Sequence, residues 1–151
     1  MQNLSNDVSL FYPSEEKGIT MPQNIPDVMS AVLLTGHGGF DRLEYRTDVP
    51  VPAPGRGDVL IRVGAAGINN TDINTRIGWY SKSITGDTSE GAADGLATVD
   101  KEDAGWAGTP LSFPRIQGAD CCGQIVSVGE GVEEKRSGER VVVRSVMRRP
   151  D

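Results

Sequence analysis

Apolar positions along this chain fall in short runs separated by Gly- and Pro-rich breaks, and they do not form a helical stripe. Runs of this kind, rich in Val, Ile and Leu, predict strands in a loop-rich β domain. Residues 1–28 mix Ser, Asn, Pro and acidic groups without apolar periodicity, which predicts a poorly ordered N-terminal tail. The first β-type run is SAVLLT, Ser30 to Thr35. It closes in GHGG, Gly36 to Gly39, where glycine permits a tight reversal. FDRLEYRTDVPVP then alternates until Pro50, Pro52 and Pro54 break it, and PGRGD, Pro54 to Asp58, has turn chemistry.

DVLIRVGAAGI, Asp58 to Ile68, predicts the strongest strand, with Val59, Ile61 and Val63 on one face and Arg62 on the other. A short helix is expected from Thr71 to Arg76, opened by Thr71 and Asp72. Residues 81–108 are polar, acidic and glycine-rich, the pattern of an insertion or mobile flap and not of core. Strand character returns in FPRIQGADCCGQIVSVGEGV, with a turn at Gly129 to Gly131, and again in GERVVVRSVM, Gly138 to Met147. No internal repeat is present. Several short strands between Gly/Pro turns predict a barrel or sandwich, mostly β with short helices.

Composition narrows the function classes. A length of 151 residues allows one domain with a real core. The net charge of −6 offers no electrostatic footprint for nucleic acid or an anionic membrane. No apolar run is long enough to span a bilayer, and the N-terminus lacks a secretory pattern, so a cytoplasmic location is expected. The two cysteines, Cys121 and Cys122, are adjacent, and ordinary disulfide geometry disfavours bridging them. They are expected to pack as small apolar groups. Neither glycine cluster is a dinucleotide fingerprint: GHGGF lacks the third glycine, and GEGVEEKRSG does not follow strand–turn–helix order.

Five elements in order carry a family resemblance: AVLLTGHGGFDRLEY, the P-x-P-G-x-G-D-V-L-I-R-V turn and strand, G-I-N, G-A-D-x-x-G, and G-E-R-V-V-V. From about Ser30 onward the chain resembles the medium-chain dehydrogenase/reductase superfamily. The resemblance implies that residues 29–151 are a GroES-like β-barrel, the alcohol dehydrogenase-type catalytic domain, interrupted by the acidic insertion 81–108. The chain ends at Asp151 before a nucleotide-binding half could begin, so the Rossmann domain of a complete enzyme is expected to be absent. On that reading the domain is incomplete and turns over no substrate alone.

Zinc-type members of the superfamily carry G-x-C-x-[ST]-D and G-H-E, and here Asn69 and Ala119 replace the Cys and the His. Catalytic zinc takes about three N, S or O ligands, so no metal is expected. His37, the single histidine, lies away from the matched positions. The resemblance points to the zinc-free, quinone oxidoreductase-like branch, with NADPH or NADH as cofactor of the complete enzyme. A quinone, an enone or another carbonyl compound would be the substrate. It implies Asn69 beside the nicotinamide, Tyr80 and Thr71 as catalytic donors, and Asn70, Asp72, Trp79 and Asp120 around the substrate pocket.

Plainer roles stand beside these. Asn69 and Asn70 could satisfy local backbone groups in a turn, Thr71 could cap the helix, and Asp72 could be a structural acceptor. Arg76 is either solvated or paired with Asp72 four residues earlier. Trp79 suits core or pocket wall, and Asp120, in a buried-looking strand, calls for hydrogen-bond partners. Two further classes remain open: a non-enzymatic barrel module binding a partner through strand edges, and a zinc-type alcohol dehydrogenase with altered ligands. Homo-oligomer formation is also open.

Overall fold

The computed structural model describes residues 8–9, 24–100, 102–105 and 110–143. Strands dominate, as the short apolar runs require: β1 (Val8–Ser9), β2 (Val28–Leu34), β3 (Leu43–Pro50), β4 (Val59–Ala66), β5 (Arg115–Ile116), β6 (Cys121–Val128) and β7 (Arg140–Val143). Among the described residues α1 (Asn70–Ile77) is the only α-helix, and single 3-10 turns lie at Phe40–Arg42, Thr88–Gly91 and Glu134–Arg136. Most of the expected tail, and the end of the last expected strand beyond Val143, lie outside the described residues. Among the described residues no helix is long and apolar enough to cross a membrane.

The chain forms two compact units. The first comprises residues 1–27, 50–67 and 119–151, and the second residues 28–49 and 68–118. The first unit is a sheet of order β1-β7-β6-β4, with antiparallel pairing throughout. Its core is Ile125, fully buried, with Val126 and Val141.

Two consecutive buried residues in one strand violate simple alternation, and the pairing register explains them. Leu60 faces Ser127 but Ile61 faces Ile125, so Val126 is an extra residue on β6. A second irregularity makes Gly64 the extra residue on β4. Each bulge reverses which way the following side chains point. Neither extra residue falls on β4 between Val59 and Val63, so these three keep one face, and Val63 at its far end is exposed. At Gly123 the strands come so close that an added Cβ would meet the backbone oxygen of Arg62 at 2.1 Å.

The second unit holds the three-stranded sheet β3-β2-β5, in which Leu33 faces Ile116 and Leu34 faces Arg115. Among the described residues Leu34, Ile77 and Ala104 are its fully buried apolar side chains. The described residues of the acidic segment 81–108, expected to be an insertion or mobile flap and not core, are woven into this unit. Ala104 and Ser81 are buried, and the Leu96 amide donates to the Ile77 carbonyl at 3.3 Å. Ser83 Oγ donates to the Thr98 carbonyl at 2.6 Å, and the Asp100 amide donates to Ser81 Oγ at 3.1 Å. Hydrogen bonds among its polar residues hold this segment together with the burial of Ala104, which its composition alone did not disclose.

The bulged strand pair gives a direct test. Gly123→Ala is expected to lower unfolding free energy by about 1–3 kcal/mol, since backbone and not a flexible side chain stands in the way. Gly64→Ala, whose added Cβ finds only ordinary contacts at 3.8–3.9 Å, is expected to stay within about 0.5 kcal/mol. Urea unfolding of the two variants measures the difference.

Candidate functional site

The candidate residues gather at the two ends of α1. The helix is short, so its termini decide whether it forms at all. Its N-cap is Asn69, not Thr71 as the sequence predicts. Asn69 has extended backbone, and its Oδ1 accepts the Thr71 amide at 2.8 Å. Thr71 Oγ also donates to Asn69 Oδ1. In return Asp72 Oδ2 accepts the Asn69 amide at 2.9 Å, completing a capping box. Thr75 Oγ donates to the Thr71 carbonyl at 2.7 Å, and Gln117 Nε2 to the Asp72 carbonyl at 2.9 Å. Asn70 is exposed at the first helical position.

This arrangement sets the orientation of Asn69. Its amide oxygen takes two donors from Thr71, which places Nδ2 on the opposite side of the amide. The Thr71 hydroxyl proton is likewise engaged by Asn69. Thr71 thus serves Asn69, and Asp72 serves the helix start.

Trp79 and Tyr80 follow the helix after Gly78, whose left-handed φ of 81° ends it. Their rings stack edge to face, 5.7 Å between centroids at 74°. Trp79 Nε1 donates to the Gly86 carbonyl at 3.3 Å, while 37% of Trp79 remains exposed. Tyr80 is half-buried. Eight helical residues span about 12 Å, so the Asn69–Thr71–Asp72 group and the aromatic pair stand at opposite ends of α1. Asp120 belongs to the other unit. It is exposed just before β6, contrary to the buried strand position expected for it. Its carbonyl accepts the Gly67 amide at 3.3 Å.

Arg76 departs furthest from expectation. It is neither solvated nor paired with Asp72: it is 5% exposed, and its guanidinium donates to the Gly38 carbonyl at 2.7 Å and the Ala92 carbonyl at 2.5 Å. Phe40 lies over it at 4.4 Å. Among the described residues no carboxylate forms an ion pair with it. Helical spacing gave no warning, because the partners are backbone groups distant in sequence. His37 also joins α1. A carbonyl only accepts, so the 2.8 Å contact from Nδ1 to the Thr75 oxygen puts the proton on Nδ1.

Among the described residues no three His, Cys, Asp or Glu side chains group as metal ligands. Cys121 and Cys122 are unbridged and half-buried. Burial pushes the Cys121 thiol up from its ordinary value, with adjacent Cys122 adding to the effect, so its thiolate is scarce at neutral pH.

Residues 55–149 match the alcohol dehydrogenase GroES-like domain family. A curated relative, the mitochondrial NAD(P)H oxidoreductase RTN4IP1 of Dictyostelium discoideum, is 35% identical over 75% of this chain and 26% of its own. The quinone oxidoreductase of Rattus norvegicus is 31% identical over 76% of this chain and 26% of its own. A solved protein from Sinorhizobium meliloti 1021, described provisionally as an alcohol dehydrogenase, is 46% identical with a TM-score of 0.60, over 79% of this chain and 30% of that one. The chain spans about a quarter of the length of the curated relatives it matches.

The cap is testable without any ligand. Asn69→Ala is expected to cost about 1 kcal/mol, and Asn69→Asp, which keeps the acceptor, much less. Asn70→Ala should change little. Paired with Asp72→Ala, the Asn69→Ala loss should be non-additive in a double-mutant cycle followed by urea unfolding.

Proposed function

This chain belongs to the alcohol dehydrogenase GroES-like domain family of the medium-chain dehydrogenase/reductase superfamily, and from that premise we propose that it is the substrate-side domain of a zinc-independent, NAD(P)H-dependent oxidoreductase. The reaction is reduction of a quinone, an enone or another carbonyl compound. The observation that carries this reading is the capping box, which ties the Asn69 oxygen to Thr71 and turns the amide so that it presents a donor.

The residues at α1 suit only part of a dinucleotide. The Asn69 and Thr71 amides are already satisfied by side chains, and the Asp72 carboxylate lies in the first turn, so a pyrophosphate finds no welcome there. An amide donor at Asn69 does suit a nicotinamide carboxamide oxygen. When bound, the nicotinamide supplies the hydride. The chain's own part is to orient that ring through Asn69 and to meet negative charge developing on the acceptor oxygen with the Tyr80 hydroxyl. Trp79 forms an apolar wall beside Tyr80. With its hydroxyl engaged by Asn69, Thr71 acts on this reading by positioning Asn69, and Tyr80 is the donor.

Residue chemistry at the matched positions supports zinc independence. Ala119 has no donor atom, and the Asn69 oxygen already accepts two hydrogen bonds.

The purified 151 residues are expected to oxidise no NADPH in the presence of 1,4-benzoquinone. A chimera joining them to the nucleotide-binding half of a quinone oxidoreductase should do so, without dependence on added or chelated zinc. In that chimera Tyr80→Phe is expected to lower kcat about 10²-fold, as loss of one aimed donor does. Turnover by the 151 residues alone, or a chimera indifferent to both Tyr80→Phe and Asn69→Ala, would overturn the reading.

A further inference from the structure

The grip of Arg76 reaches further than the helix that carries it. Segment 86–99 is tied to the end of α1 at successive points. The Arg76 guanidinium holds the Ala92 carbonyl, the Leu96 amide donates to the Ile77 carbonyl, and Trp79 Nε1 donates to the Gly86 carbonyl. Val99 lies against Gly78, where an added Cβ would meet its methyl at 2.5 Å. The second arm of the guanidinium takes the Gly38 carbonyl, and the Gly38 amide donates back to the Arg76 carbonyl at 2.9 Å. Gly38 and Gly95 are packed so closely that a Cβ on Gly95 would meet the Gly38 Cα at 2.5 Å. One planar cation thus joins the 36–39 turn, α1 and the acidic segment.

We propose that Arg76 is the positioning residue for the Trp79–Tyr80 aromatic pair. By fixing Ala92 and Gly38 it holds segment 86–99 in register with α1, and that segment holds the Trp79 indole through Gly86. Tyr80, stacked on that indole, inherits its place. The part that gives Tyr80 a substrate rests on the oxidoreductase reading above; the part that gives Arg76 control of Trp79 stands without it.

Lysine keeps the charge but lacks a planar fork able to span two carbonyls. Arg76→Lys, made with Trp106→Phe so that Trp79 is the only indole, is therefore the informative variant. It is expected to retain the parent far-UV circular dichroism while acrylamide quenches Trp79 about twofold or more efficiently, as a loosened local unit allows. A folded Arg76→Lys variant whose Trp79 quenching equals the parent's would overturn the proposal. Should that variant not fold, hydrogen exchange on the unaltered chain decides. The Arg76 Nη protons, the Leu96 amide and the Trp79 indole proton should share one opening rate, and rates more than about tenfold apart would overturn the coupling. Neither readout needs substrate, so failure here is distinguishable from failure of the Tyr80→Phe test.

Discussion

A buried guanidinium held by two backbone carbonyls is the interaction on which the second unit depends. Among its described residues Leu34, Ile77 and Ala104 are the fully buried apolar side chains, and they give it little hydrophobic stabilisation to spare. Burying a charge is costly unless its donors are met, and here charge-assisted bonds to Gly38 and Ala92, with the Phe40 ring above, meet them. The position in the last turn of α1 adds a favourable interaction with the helix dipole. Removing the side chain would leave carbonyls unpartnered as well as a void. Such a site is therefore sensitive to small changes of shape, including arginine to lysine.

The first unit reaches its stability by a different route. Its order comes from an antiparallel sheet in which two bulges reset the side-chain faces between β4 and β6. The bulge at Val126 lets Ile125 and Val126 both be buried, and Gly123 admits the close approach that the pairing demands. The adjacent cysteines sit within this sheet, where partial burial keeps Cys121 in its thiol form. Nothing in their setting makes them nucleophiles.

At the helix start, fold and proposed chemistry use the same atoms. The hydrogen bonds that let an eight-residue helix begin also fix the rotation of the Asn69 amide. An amide free to flip would present oxygen and nitrogen alike, whereas a capped one presents a defined donor. The stability of α1 and the orientation of the Asn69 amide are thus one property. The helix length then separates Asn69 from Tyr80, and on the proposed reading the two would meet different parts of the bound pair. A nicotinamide and its acceptor, side by side, would be such a pair.

Much of this was legible in the sequence. The β-type runs at Ser30–Thr35 and Asp58–Ile68, the glycine and proline turns and the family-type motifs all depend on local patterns, and they appear where those patterns place them. Asn69 could be singled out because residue chemistry at a motif position needs no coordinates. The exact cap, the bulged register of β4, the exposure of Asp120 and the structural integration of the acidic segment were not legible. Each depends on backbone groups far apart in sequence, which carry no side-chain signature. Arg76 shows the division most clearly: its type and helical position are written in the chain, but its partners are the carbonyls of Gly38 and Ala92. The sequence by itself determined the strand-rich class, the family and the absence of donor atoms at Ala119. Only the tertiary structure decided which polar groups are buried and what satisfies them, because a carbonyl becomes a partner only when folding brings it within reach.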